Sequence, residues 1–352
     1  MTKVVHLTHS KDLRTGGVIE AVLRLSESMQ SLGVDSSISD KARLEENVTH
    51  VIAHGLWQWP GAFAQKVFLA EKTPYLLFPH GMLDPWFKQT FPFKHIKKQA
   101  YWWWKQASIL RNAKAVCFTT GEECNLARNT FFPYRCREAV TGLGVNDPPS
   151  GKEKQREAFY LSFPHLKNRK VLLYLGRMHP KKGLDNLIRS FIRHCSENET
   201  LVLAGPIDNP DGYLAGLLKD TSKFEDRIVW TGMLTGNLKW GALRTADALI
   251  LPSHQENYGM VVAEALSVGT PVFLTEKVNL WREVLEAGAG LVAGDDEAGI
   301  DSLVGDWKKD SHAGMTNACM SCFEEKLHIR KCAERILNLL NAPTRGLQKS
   351  DG

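Results

Sequence analysis

Two carboxylates flank a glycine in the stretch HQENYGMVVAEALSVGTPVF, residues 254–273. Glu256 and Glu264 lie on either side of Gly259, and an apolar run before them predicts a buried strand. We predict that the chain turns from this strand into a helix over 258–268. The N–H groups at the start of a helix bind anions, phosphate above all, and a glycine there lets a ligand approach the backbone closely.

The two carboxylates suit hydroxyl groups better than phosphate. Glu264 lies about one and a half turns into the predicted helix, so its carboxylate can accept hydrogen bonds from the two hydroxyls of a ribose. Glu256 precedes the helix and can accept from a second polyol. A nucleotide joined to a sugar through a diphosphate would fit. The alternative is local capping, with Ser253 or Asn257 as the N-cap and Glu256 facing the helix dipole.

A second polar stretch, GRMHPKKG at 176–183, follows another predicted strand. Arg177 and Lys182 can straddle a diphosphate, the arginine by its planar fork and the lysine as a point charge. A solvated basic turn is the plainer alternative. Loops that follow strands of a parallel sheet gather at one edge, where ligands of such sheets bind, so we favour phosphate binding.

Composition narrows the class of protein. The chain has 352 residues, enough for two domains, and its 43% hydrophobic and 24% charged residues are ordinary for a globular protein. It contains no apolar run long enough to span a membrane, and its first residues predict a strand instead of a signal peptide. An odd number of scattered cysteines, seven, indicates a reducing, cytoplasmic compartment. The net charge of +5 comes without an arginine-rich segment, which argues against nucleic acid as a partner.

Short apolar strands alternate with amphipathic helices, most clearly in the second half. This order predicts an α/β protein with parallel, doubly wound sheets. Predicted strands are 3–7, 50–53, 75–78, 115–119, 171–175, 200–204, 227–230, 248–251, 270–275 and 290–293. Predicted helices include 18–32, 183–194, 213–219, 239–245, 258–268, 280–287 and a last one over about 319–340. A stretch rich in glycine, proline and charge, 141–156, predicts the linker.

One segment of the first half is basic and aromatic. Residues 87–111 contain six lysines or arginines and no acid, interleaved with aromatic residues that include Trp102, Trp103 and Trp104. We expect one or two of these tryptophans in the core. The segment could lie on an anionic membrane, where a lipid-linked acceptor would be found, or it could be a buried helix with a solvated basic face.

The stretches GRMHPKKGLDNLIRSF and SHQENYGMVVAEALSVGTPV together resemble the retaining family-4 glycosyltransferases (glycosyl transferases group 1). The acid, the glycine three residues later and the second acid have that family's spacing, as does the upstream arginine and Lys-Gly pair. The resemblance is strong over 170–295 and weaker elsewhere. It implies the GT-B fold, with two Rossmann-like doubly wound domains facing a central cleft. We expect an acceptor-side domain at 1–145, a donor domain at 146–324, a helix at about 325–341 that crosses back, and a disordered tail at 342–352.

The resemblance also implies roles for individual residues. Arg177 and Lys182 would bind the donor diphosphate, Glu264 the ribose and Glu256 the sugar, while His80 resembles the active-site histidine near the transferred sugar. His80, Glu256, Arg177 and Lys182 are therefore the expected catalytic group. The remaining expected donor contacts are Gly16, Gly17, Gly205, Asn257, Tyr258, Gly259, Met260 and Val261. The expected acceptor contacts are His9, Arg14, His54 and Asp84.

The implied reaction is transfer of a hexose from a UDP- or GDP-linked donor to a glycan or lipid-linked acceptor, in bacterial surface polysaccharide synthesis. No cofactor and no metal are expected, because the two cations would stabilise the departing diphosphate. The expected location is the cytoplasm or the cytoplasmic face of the inner membrane. The alternatives are a nucleotide-sugar epimerase or phosphorylase of the same fold, although a phosphorylase is normally much longer, and an inactive nucleotide-sugar-binding protein.

Overall fold

The computed structural model describes residues 2–12, 17–208 and 212–343. The chain divides into two compact units. Unit 1 comprises residues 1–144 together with 329–352, and unit 2 comprises residues 145–328. The residues expected to form a disordered tail lie outside the described part from residue 344 onward.

Each unit is built on a six-stranded parallel sheet. Unit 1 has the strand order β2-β1-β3-β4-β5-β6 and unit 2 the order β12-β11-β10-β7-β8-β9. The strands are β1 Lys3–Leu7, β2 Asp35–Ser39, β3 His50–His54, β4 Tyr75–Phe78, β5 Ala115–Phe118, β6 Glu138–Val140, β7 Lys170–Leu175, β8 Glu199–Ala204, β9 Ile228–Gly232, β10 Ala248–Leu251, β11 Val272–Thr275 and β12 Gly290–Ala293. The predicted parallel α/β architecture is confirmed.

Helices cover both sheets. They are α1 Gly17–Ser31, α2 Trp59–Glu71, α3 Trp86–Thr90, α4 Pro92–Tyr101, α5 Ala107–Asn112, α6 Gly121–Ala127, α7 Lys152–Ser162, α8 Leu184–His194, α9 Gly212–Thr221, α10 Gly236–Thr245, α11 Met260–Ser267, α12 Trp281–Glu286, α13 Glu297–Lys308, α14 Thr316–Cys322 and α15 Ile329–Asn341. The described helices include none that is long and apolar enough to cross a membrane.

Both faces of the unit 1 sheet are buried, as expected for parallel strands with helices on each side. Alternate residues point to opposite faces, so Val4 and Ile52 lie in one core and Val5 and Val51 in the other. Helix α15 contributes a stripe of buried residues to the first of these cores, namely Ile329, Ala333, Ile336 and Leu340.

Three sequence expectations need correction. The predicted helix over 319–340 is interrupted, because His328 is extended (ψ 131°) and separates a short π-helix from α15. The helix predicted to begin at Tyr258 begins at Met260, because Gly259 before it has φ +70°. Strands β2 and β6 were missed, since DSSIS and EAV lack the apolar run that marks the inner strands.

The run of three tryptophans divides as expected. Trp102 is fully buried, whereas Trp103 and Trp104 are 64% and 77% exposed. All three lie in a π-helical turn, Trp102–Gln106, between α4 and α5. One tryptophan therefore belongs to the core, and two remain on the surface beside the lysines of this segment.

Candidate functional site

The loop over residues 176–183, here called the basic loop, leaves the end of β7 in unit 2. Its start is fixed by Tyr174, whose hydroxyl donates to the carbonyl of Arg177 at 2.7 Å. Gly205, after β8, lies against it: a Cβ on Gly205 would come within 1.9 Å of the carbonyl oxygen of Gly176. The close packing of the two strand ends therefore explains why residue 205 is a glycine. The guanidinium of Arg177 is exposed.

The basic loop contacts the loop over residues 252–259, here called the glutamate loop. The N–H of His254 donates to the carbonyl of Lys181 at 2.8 Å. Gly183, at φ +64°, leaves no room for a side chain, since a Cβ there would lie 2.2 Å from the carbonyl oxygen of Pro252. The left-handed turn and this close approach both require glycine. Two loops separated by some seventy residues are thus joined at the carboxyl edge of the sheet.

Lys182 and Glu256 form an ion pair between these two loops. Both side chains are largely shielded from solvent. The backbone of Glu256 is held in place by a bridge to the loop after β11: its N–H donates to Lys277 at 2.9 Å, and its carbonyl accepts from Asn279 at 3.0 Å. The first of the two sequence carboxylates therefore has a fixed backbone and a cationic partner.

Gly259 is the N-cap of α11 and has no side chain to cap the helix. Its φ of +70° is a left-handed conformation that glycine adopts without strain. Met260 and Val261 form the first turn after it. Neither Ser253 nor Asn257 is therefore the N-cap of this helix. The amide oxygen of Asn257 accepts from Asn279 Nδ2 at 3.3 Å. Tyr258 is buried beside this turn.

Glu264 is nearly fully buried inside α11, and its carboxylate pairs with Lys239 Nζ of α10 at 2.7 Å. The sequence analysis missed Lys239, since nothing in the local pattern of α10 marks this lysine. It likewise missed Asp295, which pairs with His254 Nδ1 at 2.8 Å. Both partners lie far along the chain, so only the fold reveals them.

Unit 1 brings together two of the predicted histidines. His54 ends β3 and His80 follows β4, and their rings meet edge to edge, with Nδ1 of His54 2.9 Å from Nε2 of His80. A third histidine, His6 in β1, lies 3.0 Å from His54. The sequence analysis did not single out His6, because a lone histidine inside a strand carries no functional signal.

The turn that carries His80 is held by a buried glutamate that was also missed. Glu123 accepts from the N–H of Gly81 at 2.6 Å and from the N–H and hydroxyl of Thr119 at 2.7 and 2.6 Å. Glu123 belongs to α6, and Thr120 is the N-cap of that helix: its hydroxyl accepts from the N–H of Glu123 at 3.0 Å. The pattern Thr-x-x-Glu at 120–123 is a capping-box signature and could have revealed this residue.

The other predicted residues of unit 1 are not gathered around these histidines. His9 is exposed on the loop after β1. Asp84 accepts from the N–H of Trp86 at 2.8 Å and so shapes the start of α3. Gly17 is the first residue of α1, with open space around it. Arg14 and Gly16 lie outside the described residues.

The basic and aromatic segment borders a wide cavity of about 620 Å³. Its wall combines cationic and aromatic side chains, including Lys88, His95, Arg135, Phe131 and Phe132. Burial, and then the charges of Lys88 and Lys98, lower the pKa of His95. The cavity is therefore suited to a ligand that is both anionic and apolar.

The geometry of unit 2 suits a ligand with two kinds of group. Arg177, Lys182 and the start of α11 offer positive charge and N–H dipoles for an anion. Glu256 and Glu264 offer carboxylates for neutral hydroxyls. Among the described residues, no group of three or more histidines, cysteines, aspartates or glutamates has an arrangement that could hold a metal ion.

Residues 156–314 match the family model described as glycosyl transferases group 1. This range contains the basic loop, the glutamate loop and α11. The resemblance seen in the sequence is thereby confirmed. The assignment to the retaining family-4 enzymes is consistent with the names of the relatives and is not decided by them.

Curated relatives match less than half of the chain. An uncharacterized glycosyltransferase of Methanocaldococcus jannaschii is 30% identical over 144 residues, which are 39% of this chain and 36% of the relative. A phosphatidyl-myo-inositol mannosyltransferase of Mycobacterium leprae is 30% identical over 142 residues, 38% of this chain and 36% of the relative. The chain thus spans about a third of the length of these curated relatives.

Solved structures match almost the whole chain. A sucrose-phosphate synthase from Thermosynechococcus elongatus superimposes with a TM-score of 0.74 at 16% identity, over 96% of this chain and 98% of that one. Anabaena HepE, solved in complex with UDP and glucose, gives 0.72 at 13% identity, over 97% and 100%. At such low identity these neighbours show the fold alone, and the predicted GT-B fold is confirmed.

Proposed function

We propose, from the premise that residues 156–314 form a glycosyl transferases group 1 domain, that this chain is a retaining glycosyltransferase. It would move a hexose from a nucleotide diphosphate sugar to a glycan or lipid-linked acceptor. The observation that carries the proposal is the junction of the basic loop and the glutamate loop beside α11. This junction gathers cations, a helix N-terminus and two carboxylates at the edge where parallel sheets bind ligands.

The ion pair between Lys182 and Glu256 has a natural role in donor binding. A diphosphate at Lys182 would compete with Glu256 for the ammonium group and release the carboxylate to accept hydrogen bonds from sugar hydroxyls. Glu264 would hold the ribose hydroxyls while keeping its pairing with Lys239. Two charged residues that are already close together lose little side-chain freedom when they change partners.

The proposed step breaks the bond between the anomeric carbon and the diphosphate oxygen. An acceptor hydroxyl forms the new bond on the same face of the sugar, and its proton passes to the departing phosphate oxygen. Arg177, Lys182 and the first turn of α11 would stabilise the negative charge that develops on the diphosphate. The two cations take the place of a metal ion in this step, so the proposal requires no metal.

UDP-hexoses are the first donors to test, since structural neighbours were solved in complex with UDP, UDP-glucose or UDP-2-fluoro glucose. GDP-hexoses come next. We place the reaction in bacterial surface polysaccharide synthesis, in the cytoplasm or at the cytoplasmic face of the membrane. The seven cysteines, all in the described residues, are unpaired, which accords with a reducing compartment.

A panel of UDP, GDP, ADP and their common sugar conjugates, tested by thermal shift, examines the donor site directly. A ligand that binds only the folded state stabilises it by about 2.7 kcal/mol at a hundredfold excess over its dissociation constant. We expect a shift with one base, and loss of the shift in Arg177→Ala. No shift with any nucleotide would refute the proposed donor site.

Glu256→Gln separates an enzyme from a mere binder. An enzyme would keep nucleotide binding and lose turnover, because only the contact with the sugar is weakened. Product analysis with the donor that binds then separates transfer from epimerisation: transfer releases free nucleotide diphosphate, whereas epimerisation leaves the sugar attached. A protein that binds the donor and yields neither product would be an inactive binding protein.

The basic and aromatic segment would bring a lipid-linked acceptor within reach by contacting an anionic membrane. Its exposed apolar side chains include Phe93, Ile96, Trp103 and Trp104, beside lysines 94, 97, 98 and 105. Such a surface attracts anionic lipids and inserts aromatic side chains among the headgroups. We expect binding to anionic liposomes that weakens with salt and with Trp103→Ser combined with Trp104→Ser. Absence of binding at low salt would refute this contact.

A further inference from the structure

Three histidines of unit 1, His6, His54 and His80, form a hydrogen-bonded group that we call the histidine row. Nδ1 of His6 lies 3.0 Å from Nε2 of His54, and Nδ1 of His54 lies 2.9 Å from Nε2 of His80. The ring planes are within 15° and 25° of parallel, and the rings lie edge to edge with centroid distances of 5.3 and 5.2 Å. Since β1, β3 and β4 are neighbours in the sheet, the row runs across the sheet and ends at the loop that carries His80.

The row leads from the interior of unit 1 to a partly exposed histidine. His6 and His54 are buried, whereas His80 is half-buried. Burial lowers the pKa of His6 to about 3 and that of His80 to about 4. Burial, and then the neighbouring histidines, lower the pKa of His54 well below its ordinary value. Near neutral pH each ring is therefore neutral, with one nitrogen as a donor and the other as an acceptor.

Neutral rings linked in this way cannot choose their tautomers independently. In each of the two contacts one nitrogen must donate and the other accept. If His6 carries its proton on Nδ1, it donates to His54, and His54 must then carry its own proton on Nδ1 and donate to His80. The last ring then accepts through Nε2 and carries its proton on Nδ1. In the opposite arrangement every proton is on Nε2, and Nδ1 of His80 is a bare acceptor.

The buried end of the row decides between the two arrangements. Nε2 of His6 is buried and has no hydrogen-bond partner. In the first arrangement this atom is an unpaired acceptor, and in the second it is an unpaired N–H. Unpaired buried N–H groups are rarer in folded proteins than unpaired acceptors, so the first arrangement is favoured.

The turn around His80 constrains the position of its ring. His80 itself has φ +50°, a left-handed conformation that is uncommon for a residue other than glycine. The carboxylate of Glu123 fixes the next residue through the N–H of Gly81. Strained backbone that the surroundings hold in place is typical of functional sites. The backbone therefore fixes where the ring of His80 lies, and the row fixes which of its nitrogens carries the proton.

We propose that His6 and His54 are positioning residues that set the tautomer of His80, so that His80 presents Nδ1–H as a neutral hydrogen-bond donor to a hydroxyl oxygen of the substrate. The identity of that oxygen, as part of the transferred sugar, rests on the proposed function. The tautomer does not, because it follows from the row alone. A neutral donor can orient a hydroxyl without adding a charge to the site.

Long-range ¹H–¹⁵N correlation spectra of the full chain labelled with ¹⁵N-histidine measure the tautomers directly. We expect all three rings of the row to be neutral Nδ1–H tautomers between pH 6 and 8, whereas free neutral histidine prefers the Nε2–H form. The three signals are assigned with His6→Phe, His54→Phe and His80→Phe. An Nε2–H form or a doubly protonated ring at His80 in the wild-type protein would overturn the proposal, whether or not any variant folds.

Substitutions that interrupt the histidine row test whether His6 and His54 set the tautomer of His80. His6→Phe removes the first donor, so we expect His54 and His80 to show a mixture of tautomers. His54→Phe disconnects His80 and should shift His80 alone toward Nε2–H. The matched control is His50→Phe, a substitution at the other end of β3 that should leave the His80 signal unchanged. An unchanged His80 signal in His54→Phe would show that the row does not set its tautomer.

Turnover provides a separate readout. His6 cannot touch a substrate, so His6→Phe should lower kcat about tenfold, the equivalent of about 1.4 kcal/mol, and leave the donor KM within about twofold. A KM effect with unchanged kcat would contradict a role through His80. If no nucleotide sugar supports turnover while the spectra behave as expected, the proposed function fails and the coupling of the row stands.

Discussion

The two units treat polar side chains at their sheet edges in opposite ways. Unit 2 pairs charged residues with one another, Lys182 with Glu256 between two loops and Lys239 with Glu264 between two helices. Unit 1 buries neutral imidazoles and links them to one another. Paired charges can change partners when an anionic ligand arrives. A buried neutral row has no such freedom, because every proton in it is tied to the next hydrogen bond.

The backbone conformation of the turns that carry these side chains also differs between the two units. The tight turns of unit 2 use glycine at positive φ, as at Gly183 and Gly259, so the chain adopts them without strain. In unit 1 the turn after β4 has two consecutive left-handed residues, the non-glycine His80 and Gly81, and Glu123 holds this turn through the N–H of Gly81. In the proposed function, unit 2 would provide an adaptable binding site and unit 1 a fixed hydrogen-bonding group.

Removing a cation should have the largest effect in this comparison. We expect Arg177→Ala and Lys182→Ala each to lower kcat about 10²–10³-fold, because each would remove charge stabilisation from the departing diphosphate. Lys181→Ala is the control, since that neighbouring ammonium lies 3.4 Å from Gln255 Oε1 and has no role in the proposed diphosphate contact. Steady-state kinetics check the values. Equal losses in all three variants would mean that general positive charge, and not position, is what matters.

The fixed character of the unit 1 turn can be tested at Glu123. In Glu123→Gln one of the two accepting oxygens becomes an amide nitrogen and faces an N–H or hydroxyl donor. Because these groups are buried, we expect a loss of about 2 kcal/mol in the free energy of unfolding, measured by urea denaturation. Glu122→Gln, the adjacent position in α6, should change it by less than about 1 kcal/mol. Similar losses in both would leave Glu123 without a special role.

The adaptable character of unit 2 can be tested at Glu264. We expect Glu264→Gln to weaken binding of the nucleotide diphosphate about tenfold or more in calorimetry, because hydrogen bonds to a charged group contribute about 1.5–3 kcal/mol. The loss should shrink with a 2′-deoxynucleotide, which lacks one of the proposed hydroxyl partners. Glu276→Gln, in an exposed pair with Lys277, is the control. If Glu264→Gln lowers the affinity for both nucleotides equally, Glu264 does not act through the 2′-hydroxyl of the ribose.

The smallest expected effect is the dependence of the free energy of unfolding on pH. The pKa of His6 is about 3 in the folded protein and near 6.5 when unfolded, so the unfolded chain binds more protons between these values. Stability is then complete above pH 6.5 and falls as the pH drops toward 3, by about 1 kcal/mol per pH unit for each such histidine. His6→Phe should reduce this slope in urea titrations at pH 7, 6 and 5. An unchanged slope would mean that His6 is not held neutral.

Several elements were predictable because their signals are local. The apolar runs gave β1 and β4 with their observed ends, and the glycine between two acids indicated the turn before α11. Other elements were not. Strand β6 is a short, partly exposed edge strand that begins with a glutamate, and the last helix is broken at His328. Tertiary pairing outweighs local propensity at such places.

The sequence by itself determined the parallel α/β class. It also indicated the residues of the proposed donor site, since Arg177, Lys182, Glu256 and Glu264 lie within two short stretches. Only the tertiary structure determines the hydrogen-bond partners of these side chains: Lys239 for Glu264, Asp295 for His254, and His6 for His54. These residues are 25 to 48 positions apart, and nothing in a linear pattern brings them together. Hydrogen bonds act over about 3 Å, so they are settled only when the strands and helices that carry the residues have packed.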